Sequence, residues 1–230
     1  MAIALGVHDW TRGSAQTGNR SLTVTEGSCI VACWMGGERT VSFSDGVNTY
    51  ATLNGDSGDT SLDIAWGVAF DVAGGATTVG FDSGTSSDFT YFAAELTGDW
   101  GAGAAVENAW GSQFGLGDTT PIAQAIATSA AGIVLGAINA GGSASAIAPD
   151  CADASPTTGW VTIDEDESPA AGVGGSFIYQ IFGASGTRTA GWTFVETLNT
   201  IASAVALIEG APSSPTGKVR RRGRLMLGVG

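Results

Sequence analysis

The feature that most constrains the fold is an alternation of apolar with small or polar residues at a period of two. It is clearest at residues 62–70, which read LDIAWGVAF. Successive side chains of a strand point to opposite faces, so this period predicts a strand with one buried face. The same period recurs near residues 22–25, 89–91 and 190–194. Residues 177–182 are apolar at nearly every position, which predicts a strand covered on both faces.

Glycine-rich turn signals separate these alternating segments at short intervals. Examples are Gly36-Gly37, Asp45-Gly46, Gly74-Gly75 and Asp82-Ser83-Gly84, and each favours a chain reversal between two strands. Many short strands joined in this way are typical of an all-β sandwich or barrel. Residues 120–127 and the next strand are Ala-rich and compatible with helix on composition alone. The predicted strands are 20–25, 28–35, 39–44, 48–53, 61–71, 76–82, 88–97, 104–114, 120–127, 132–138, 158–163, 175–183, 187–196 and 200–209.

Charge divides the chain into two unlike parts. Residues 1–211 contain all 22 acidic residues and four arginines, a net charge of −18, whereas residues 212–230 contain five basic residues and no acid. A body this acidic repels phosphate, so we expect it to bind no nucleic acid. The 36 glycines disfavour a helical bundle. The 43% apolar residues and seven tryptophans supply enough apolar surface to exclude a disordered body.

No segment is typical of membrane or secretory targeting. No apolar run approaches the roughly 18 residues that a spanning helix needs. Residues 1–7 carry no Lys or Arg and lead directly into His8-Asp9-Trp10, so we expect no signal peptide. Two long loops are predicted, at residues 139–157 and 164–174, and residues 210–217 read as a Pro/Ser linker.

The residues that could carry chemistry do not form a recognisable catalytic or metal-binding motif. The three cysteines, Cys29, Cys33 and Cys151, are expected to be small buried thiols, since His8 is the only histidine and a zinc site needs more ligands. The acidic run 164–167 offers oxygens for Ca²⁺ but lacks EF-hand spacing, so a solvated loop is favoured. Glu95 has no second acid with a supporting motif, which favours a structural carboxylate near a strand end. We therefore expect no enzyme activity, no cofactor and no metal.

Two of the seven tryptophans are the best candidates for a surface role. Trp66 and Trp192 lie in phase with apolar neighbours and are expected in the core, whereas Trp10, Trp34 and Trp160 lie nearer predicted strand ends or loops. Trp100 and Trp110 lie in a stretch, 99–118, that is expected to be an insertion. They could stack on a sugar, although packing beneath a long loop or at a subunit interface is favoured for both.

The order of several short motifs resembles a jelly-roll module that recurs in phage virion proteins and bacterial surface proteins. The resemblance covers about residues 20–98 and 119–209, and it implies an antiparallel jelly-roll β-sandwich without shared catalytic residues. Residues 99–118 and 139–173 would be insertions. The matching residues are Asp45, Gly46, Asn48 and Tyr50; Gly75 to Val79; Glu95 to Gly98; Tyr179, Gln180, Gly186, Thr187, Trp192 and Thr193; and Ile201 to Ile208.

The basic residues 212–230 also resemble the C-terminal arm of a phage structural protein. We expect a sandwich at 1–211 followed by a short extended arm that contacts a partner. The contacting residues would be Lys218, Arg220, Arg221, Arg222, Arg224, Leu225, Met226 and Leu227.

The resemblance implies a non-enzymatic capsid decoration (cement) protein on the capsid exterior, assembled in the host cytoplasm. Its partners would be the major capsid protein or other virion subunits, and a homo-oligomer, favoured as a trimer, is expected. The first alternative is a tail-fibre or host-surface carbohydrate-binding module that uses Trp100 and Trp110. The second is a hydrolase on a concanavalin-like scaffold, which would need two carboxyl groups close together in a cleft.

Overall fold

The computed structural model describes residues 2–37, 40–54, 63–118, 124–141, 155–156, 158–165, 173–193 and 198–210. Within these ranges the regular structure is entirely β. The strands are β1 Ala4–Val24, β2 Cys29–Gly36, β3 Ser42–Ser44, β4 Ala51–Asn54, β5 Asp63–Ala69, β6 Gly75–Thr97, β7 Ala105–Asp118, β8 Gln124–Thr128, β9 Gly132–Gly141, β10 Ser155–Pro156, β11 Val161–Glu165, β12 Val173–Phe182, β13 Gly186–Ala190, β14 Trp192–Thr193 and β15 Leu198–Ile208.

Two large antiparallel sheets form the body. Sheet A has the strand order β1-β6-β2-β5-β4, with β3 also paired to β6, and sheet B has the order β11-β12-β9-β15-β7. Each large sheet is therefore built from one contiguous half of the chain. Two small ribbons, β8-β13 and β10-β14, complete the strand pairing. The antiparallel β-sandwich expected from the sequence is confirmed, whereas its jelly-roll connectivity stays a prediction.

The main core lies between sheets A and B. Alternate residues of β2 and β5, from Cys29 to Met35 and from Ile64 to Val68, face alternate residues of β9 and β15. The Phe92 ring of β6 stacks on the Phe177 ring of β12 at a centroid distance of 4.6 Å. Full burial of each large apolar side chain contributes about 1.5–3 kcal/mol, so this layer is the principal source of stability.

Strand β6 folds back over the outer face of its own sheet. Gln16 of β1 lies opposite four residues of β6, because Ala15 pairs with Ser87 and Thr17 pairs with Asp82. Gly84, with φ of 73°, lies within the resulting bulge. Beyond the bulge the first part of β6 packs on the second, and the Tyr91 hydroxyl donates to the Val79 carbonyl at 3.2 Å.

The folded-back segment and β3 together cover the outer face of sheet A. Phe81 lies 4.7 Å from Phe89 and 4.9 Å from Tyr91 between ring centroids. Phe43 of β3 occupies the space above Gly67 of β5, where a Cβ would lie 2.5 Å from the ring. These residues belong to a second apolar cluster, distinct from the core between the sheets.

The outer face of sheet B is covered in the same way by the two ribbons. Ile126 of β8, Ala190 of β13 and Trp192 of β14 pack with Val134 of β9 and Ile178 of β12 in a third apolar cluster. Both large sheets are therefore buried on both faces over much of their area, and the body has four layers rather than two.

This layering corrects one expectation. The alternation at 61–71 predicts a strand with one buried face, but every residue of β5 is buried. The additional covering layer buries positions that a two-layer sandwich would leave exposed. Trp34 lies two residues before the end of β2, near a strand end as expected, and is fully buried. Trp66 and Trp192 are core residues, as predicted.

Several predicted boundaries also change. Strand β1 begins at Ala4 instead of residue 20, and the turn predicted at Asp82-Ser83-Gly84 is a bulge inside the continuous strand β6. Residues 105–118 form the edge strand β7 of sheet B, which extends the strand predicted at 104–114, and an insertion relative to the jelly-roll module stays a prediction. The Ala-rich segment near residue 124 is a strand, β8.

The predicted loops extend less far than expected. Their ends at 139–141, 155–156, 164–165 and 173–174 belong to strands β9, β10, β11 and β12. Residues 142–154, 157 and 166–172 lie outside the described residues. The two described cysteines, Cys29 and Cys33, are free and buried in the core, as predicted. Burial raises the pKa of both thiols, and the nearby Asp63 charge raises that of Cys33 further.

Candidate functional site

An open groove of about 590 Å³ lies beside sheet B, where the end of β12 meets the segment 158–160 and strand β13. We call it the Arg188 groove. Its volume falls within the roughly 300–1,000 Å³ typical of ligand sites. Polar and aromatic residues line it, principally Trp160, Gln180, Phe182, Thr187, Arg188 and Thr189.

The Arg188 guanidinium is held in one orientation by three contacts. It lies over the Phe182 ring, 4.8 Å from the centroid, a favourable cation–π arrangement. Its Nη2 donates to the Ala184 carbonyl at 3.0 Å and its Nη1 to the Thr187 carbonyl at 3.3 Å. Gly186 permits this placement, because a Cβ there would lie 2.7 Å from Nη1.

These contacts leave part of the guanidinium available. Arginine has five N–H groups, and the two carbonyl bonds use two of them. Among the described residues, no carboxylate forms an ion pair with Arg188. Toward the described part of the chain, the groove therefore contains a positioned cation that uses two of its five N–H donors.

The opposite wall is fixed by Gln180 of β12. Its Nε2 donates to the Gly159 carbonyl at 3.3 Å, which ties the turn at 158–160 to sheet B. Gly159 has a φ of 93°, a conformation that favours glycine. Trp160 follows this turn, is only 8% exposed and packs in the third apolar cluster.

The sequence patterns considered above do not identify this groove, although one signal in the sequence points to it. Arg188 is the only Lys or Arg between residues 40 and 217, and it lies between two threonines just after the predicted turn Ser185-Gly186. A single cation in an otherwise acidic segment is a candidate binding residue. Trp160 and Gln180 are brought to it only by the tertiary fold.

Trp100, a candidate for glycan stacking, is not available for it. It has no exposed surface, and its ring stacks on Phe70 at a centroid distance of 5.9 Å. This burial agrees with the packing beneath a loop that the sequence favours for Trp100, and not with its alternative role in glycan stacking. The residue follows directly after β6 and packs beneath the segment that leads to β7, where it closes one end of the core.

The remaining predicted binding residues lie beyond what the structure describes. Trp110 is in β7, with its backbone opposite Ala204, but its side chain is not described. The arm residues Lys218, Arg220, Arg221, Arg222, Arg224, Leu225, Met226 and Leu227 lie outside the described residues, and their role stays a prediction. Asp164 and Glu165 end strand β11, whereas residues 166–167 are also outside.

Glu95 has a structural partner that accounts for its burial. It is 5% exposed and lies two residues before the end of β6. Its Oε1 accepts a hydrogen bond from the Thr25 backbone at 2.6 Å, just after β1 ends. A charge-assisted bond of this kind ties two strand ends together, in agreement with the structural role predicted for this carboxylate.

The described ranges offer no candidate metal site and no membrane-spanning helix. No group of three or more His, Cys, Asp or Glu side chains there is arranged to hold a metal ion. No helix in these ranges has the length and apolar character to cross a membrane. Comparison with family models, with curated proteins and with solved structures finds no match to this chain.

Proposed function

We propose that the protein is a non-enzymatic structural protein of a phage virion, namely a capsid decoration protein. The observation that supports this most is the four-layer body, in which both large sheets are covered on both faces over much of their area. Much of each sheet face is therefore taken up by packing within the body. Attachment is then left to its edges and to the basic arm at residues 212–230.

The division of charge supports the same proposal. The body carries a net charge of −18 and the arm +5, so the arm is attracted to acidic protein surfaces. The described chain ends at Gly210, whose N–H donates to the Asp99 carbonyl at 3.0 Å. The Pro/Ser linker therefore starts from a fixed point on the sandwich, and the arm can reach a capsid subunit or a neighbouring copy.

Removal of residues 212–230 tests the proposal directly. The arm should be required for attachment, whereas the body should fold without it, because its described strands end at Ile208. Full-length and truncated protein would be added to virus particles that lack this protein, and bound protein would be measured after sedimentation. We expect binding to be lost on truncation while the far-ultraviolet circular dichroism of the body is unchanged.

A charge-neutral arm provides the matched control. Replacement of Lys218, Arg220, Arg221, Arg222 and Arg224 by glutamine keeps the length of the arm and removes its charge. We expect this variant to bind as weakly as the truncated one, and binding of the full-length protein to weaken as salt rises. Undiminished binding by the truncated protein would overturn the proposal.

A further inference from the structure

The two large sheets have the same connectivity, so the two halves of the chain can be compared position by position. In both sheets the first of the principal strands lies beside the last, followed by the second, the fourth and the third. The orders are β1-β6-β2-β5-β4 in sheet A and β7-β15-β9-β12-β11 in sheet B. The covering strands correspond as well, because β1 pairs with the first part of β6 as β8 pairs with β13, and β3 pairs with β6 as β10 pairs with β14. The two halves are therefore structural repeats.

The strand register shows which residues correspond. Strand β6 of the first half corresponds to β13, β14 and β15 in succession, and the same number of positions separates the members of each pair. These pairs include Thr77 and Arg188, Phe81 and Trp192, and Leu96 and Leu207. Thr77 lies opposite Leu22 and Arg188 lies opposite Ile126, and both partners are buried in the covering layer of their own half. Arg188 therefore takes the position of Thr77.

A hydrogen bond outside the strands is repeated too. The Thr25 N–H, just after β1, donates to the Glu95 carboxylate, and the Ser129 N–H, just after β8, donates to the Glu107 carboxylate. The glutamate belongs to the last strand in the first half and to the first strand in the second half, yet it reaches the equivalent N–H. The halves can therefore be compared in their polar contacts as well as in their backbone.

In the first half of the chain, a carboxylate lies beside Thr77. The turn between β3 and β4 carries Asp45, which accepts hydrogen bonds from the hydroxyls of Thr77 and Tyr50, both at 3.2 Å. The backbone N–H groups of Asn48 and Val47 donate to the same carboxylate at 2.7 and 2.9 Å. The position beside Thr77 is thus filled by an aspartate that a polypeptide turn presents.

In the second half, the corresponding connection is shorter. Strand β3 is joined to β4 by residues 45–50, whereas β10 is joined to β11 by residues 157–160. Trp160 takes the place of Tyr50, because each lies directly before the third principal strand of its sheet. Arg188 and Trp160 both line the Arg188 groove. The groove is therefore open where the first half holds its aspartate.

The presence of an arginine in place of a threonine favours an anionic group at this position. A threonine hydroxyl donates one hydrogen bond, whereas a guanidinium is charged and matches a carboxylate in a bidentate arrangement. Arg188 is already oriented by the Phe182 ring and two carbonyls, so it loses little conformational entropy on binding. The acidic surface elsewhere does not prevent this, because charges beyond about 8 Å are largely screened at physiological salt.

From these observations we propose that the Arg188 groove receives an aspartate or glutamate side chain that a turn of a partner protein presents. The carboxylate pairs with Arg188, and the turn fills the space that residues 45–50 fill in the first half. The occupant is a polypeptide, because the repeat of this site in sheet A is filled by one. The groove is a contact separate from the basic arm, and its occupant is held without any covalent step.

NMR titration of the isotopically labelled full chain tests the proposal, with the side-chain N–H signals of Gln180 and Arg188 as the readout, since both residues line the groove. The ligand is a blocked peptide with the sequence of residues 44–50, SDGVNTY. The matched ligands are the same peptide with Asp45→Asn, and acetate. We expect saturable shifts with the acidic peptide, about tenfold weaker binding without the charge and at least about threefold weaker binding of acetate, which lacks the turn. No saturable shift with the acidic peptide, or equal binding of either matched ligand, would overturn the proposal.

Three variants of the full chain locate the binding, with the Gln180 amide as the signal. Arg188→Gln should weaken it about tenfold or more. Thr158→Asp changes an exposed residue of the groove and supplies a competing carboxylate, so the peptide should bind about fivefold more weakly, even if Arg188→Gln disturbs folding. Thr52→Asp places the same charge on an exposed threonine of β4 in sheet A and should leave binding unchanged. Equal binding by Thr158→Asp and Thr52→Asp would refute the location.

Discussion

The covering of sheet A by β3 can be tested at a single glycine. A Cβ added at Gly67 of β5 would lie 2.5 Å from Cγ and 2.6 Å from Cδ2 of Phe43. Phe43 is itself buried and stacks on Tyr91 at 6.4 Å, so its ring has little room to move. The substitution Gly67→Ala therefore tests whether the outer layer packs as described.

The expected magnitude follows from two opposing effects. Overpacking of a buried site costs about 1–3 kcal/mol. Replacement of glycine by alanine lowers the conformational entropy of the unfolded chain, which stabilises the folded state by about 0.4–1 kcal/mol. We expect a net loss of about 1–2 kcal/mol, measured as a lower midpoint in urea unfolding with an unchanged m-value. For a chain of this size the melting temperature should fall by about 2–8 °C.

Two further variants separate this clash from other effects. A Cβ added at Gly183 would have no atom within 4 Å, so Gly183→Ala should change stability by less than about 0.5 kcal/mol. Phe43→Leu shortens the opposing side chain, and in that background the cost of Gly67→Ala should fall by about 1 kcal/mol. Stability of Gly67→Ala equal to or above that of the unaltered protein, or strictly additive effects in the double variant, would refute the reasoning.

Two other predictions concern single polar contacts. The buried Trp66 Nε1–H donates to the Ser203 hydroxyl at 3.0 Å across the core. Ser203→Ala removes this acceptor and should lower the free energy of unfolding, measured in urea, by about 1–3 kcal/mol. A decrease below about 0.5 kcal/mol would contradict this. Asp45 is partly buried, which raises its pKa, but hydrogen bonds from Asn48, Val47 and Thr77 outweigh burial and hold the pKa below its usual value. Its carboxylate therefore stabilises the fold above the unfolded pKa of about 3.9, and this contribution is lost as pH falls through the lower folded pKa. Asp45→Asn should lower the free energy of unfolding by about 1 kcal/mol at pH 7, and thermal melts should show this difference shrinking as pH falls below the unfolded pKa. A difference that does not shrink in acid would contradict the assignment.

Strand positions were predictable where large apolar residues alternate along a strand, whichever layer they face. In the segment 88–97, Phe89 and Tyr91 alternate because they face the outer layer, while Phe92 faces the main core. The predicted end at residue 97 matches that of β6. The first part of β1 gives no such signal. It is an edge segment with exposed or half-buried side chains, held mainly by backbone bonds to β6, and backbone bonds leave no pattern in the sequence.

The number of layers was not predictable, because small residues are compatible with an exposed face as well as with a covered one. Ala65, Gly67 and Ala69 of β5 face the outer layer and are small so that rings such as Phe43 can approach. An alternation of large with small residues resembles an alternation of buried with exposed residues, so the pattern does not distinguish a covered face from an open one. The Arg188 groove was not predictable for a related reason, since its walls come from segments that only the fold brings together, as Gln180 and Gly159 show at a separation of 21 residues.

The pairing of β1 with β6 has a consequence for how the protein is made. Ala4 and Thr97, which contact each other at the far end of this pair, are 93 positions apart in the chain. During synthesis β1 must wait for the whole of sheet A to emerge, while the apolar strands β2 and β5 are already outside the ribosome. Long-range pairing of this kind slows folding and leaves strand edges open to association. A cell that produces this protein therefore has to protect about a hundred residues of unfinished sheet on each nascent chain, and high expression should benefit from slower synthesis or added chaperone.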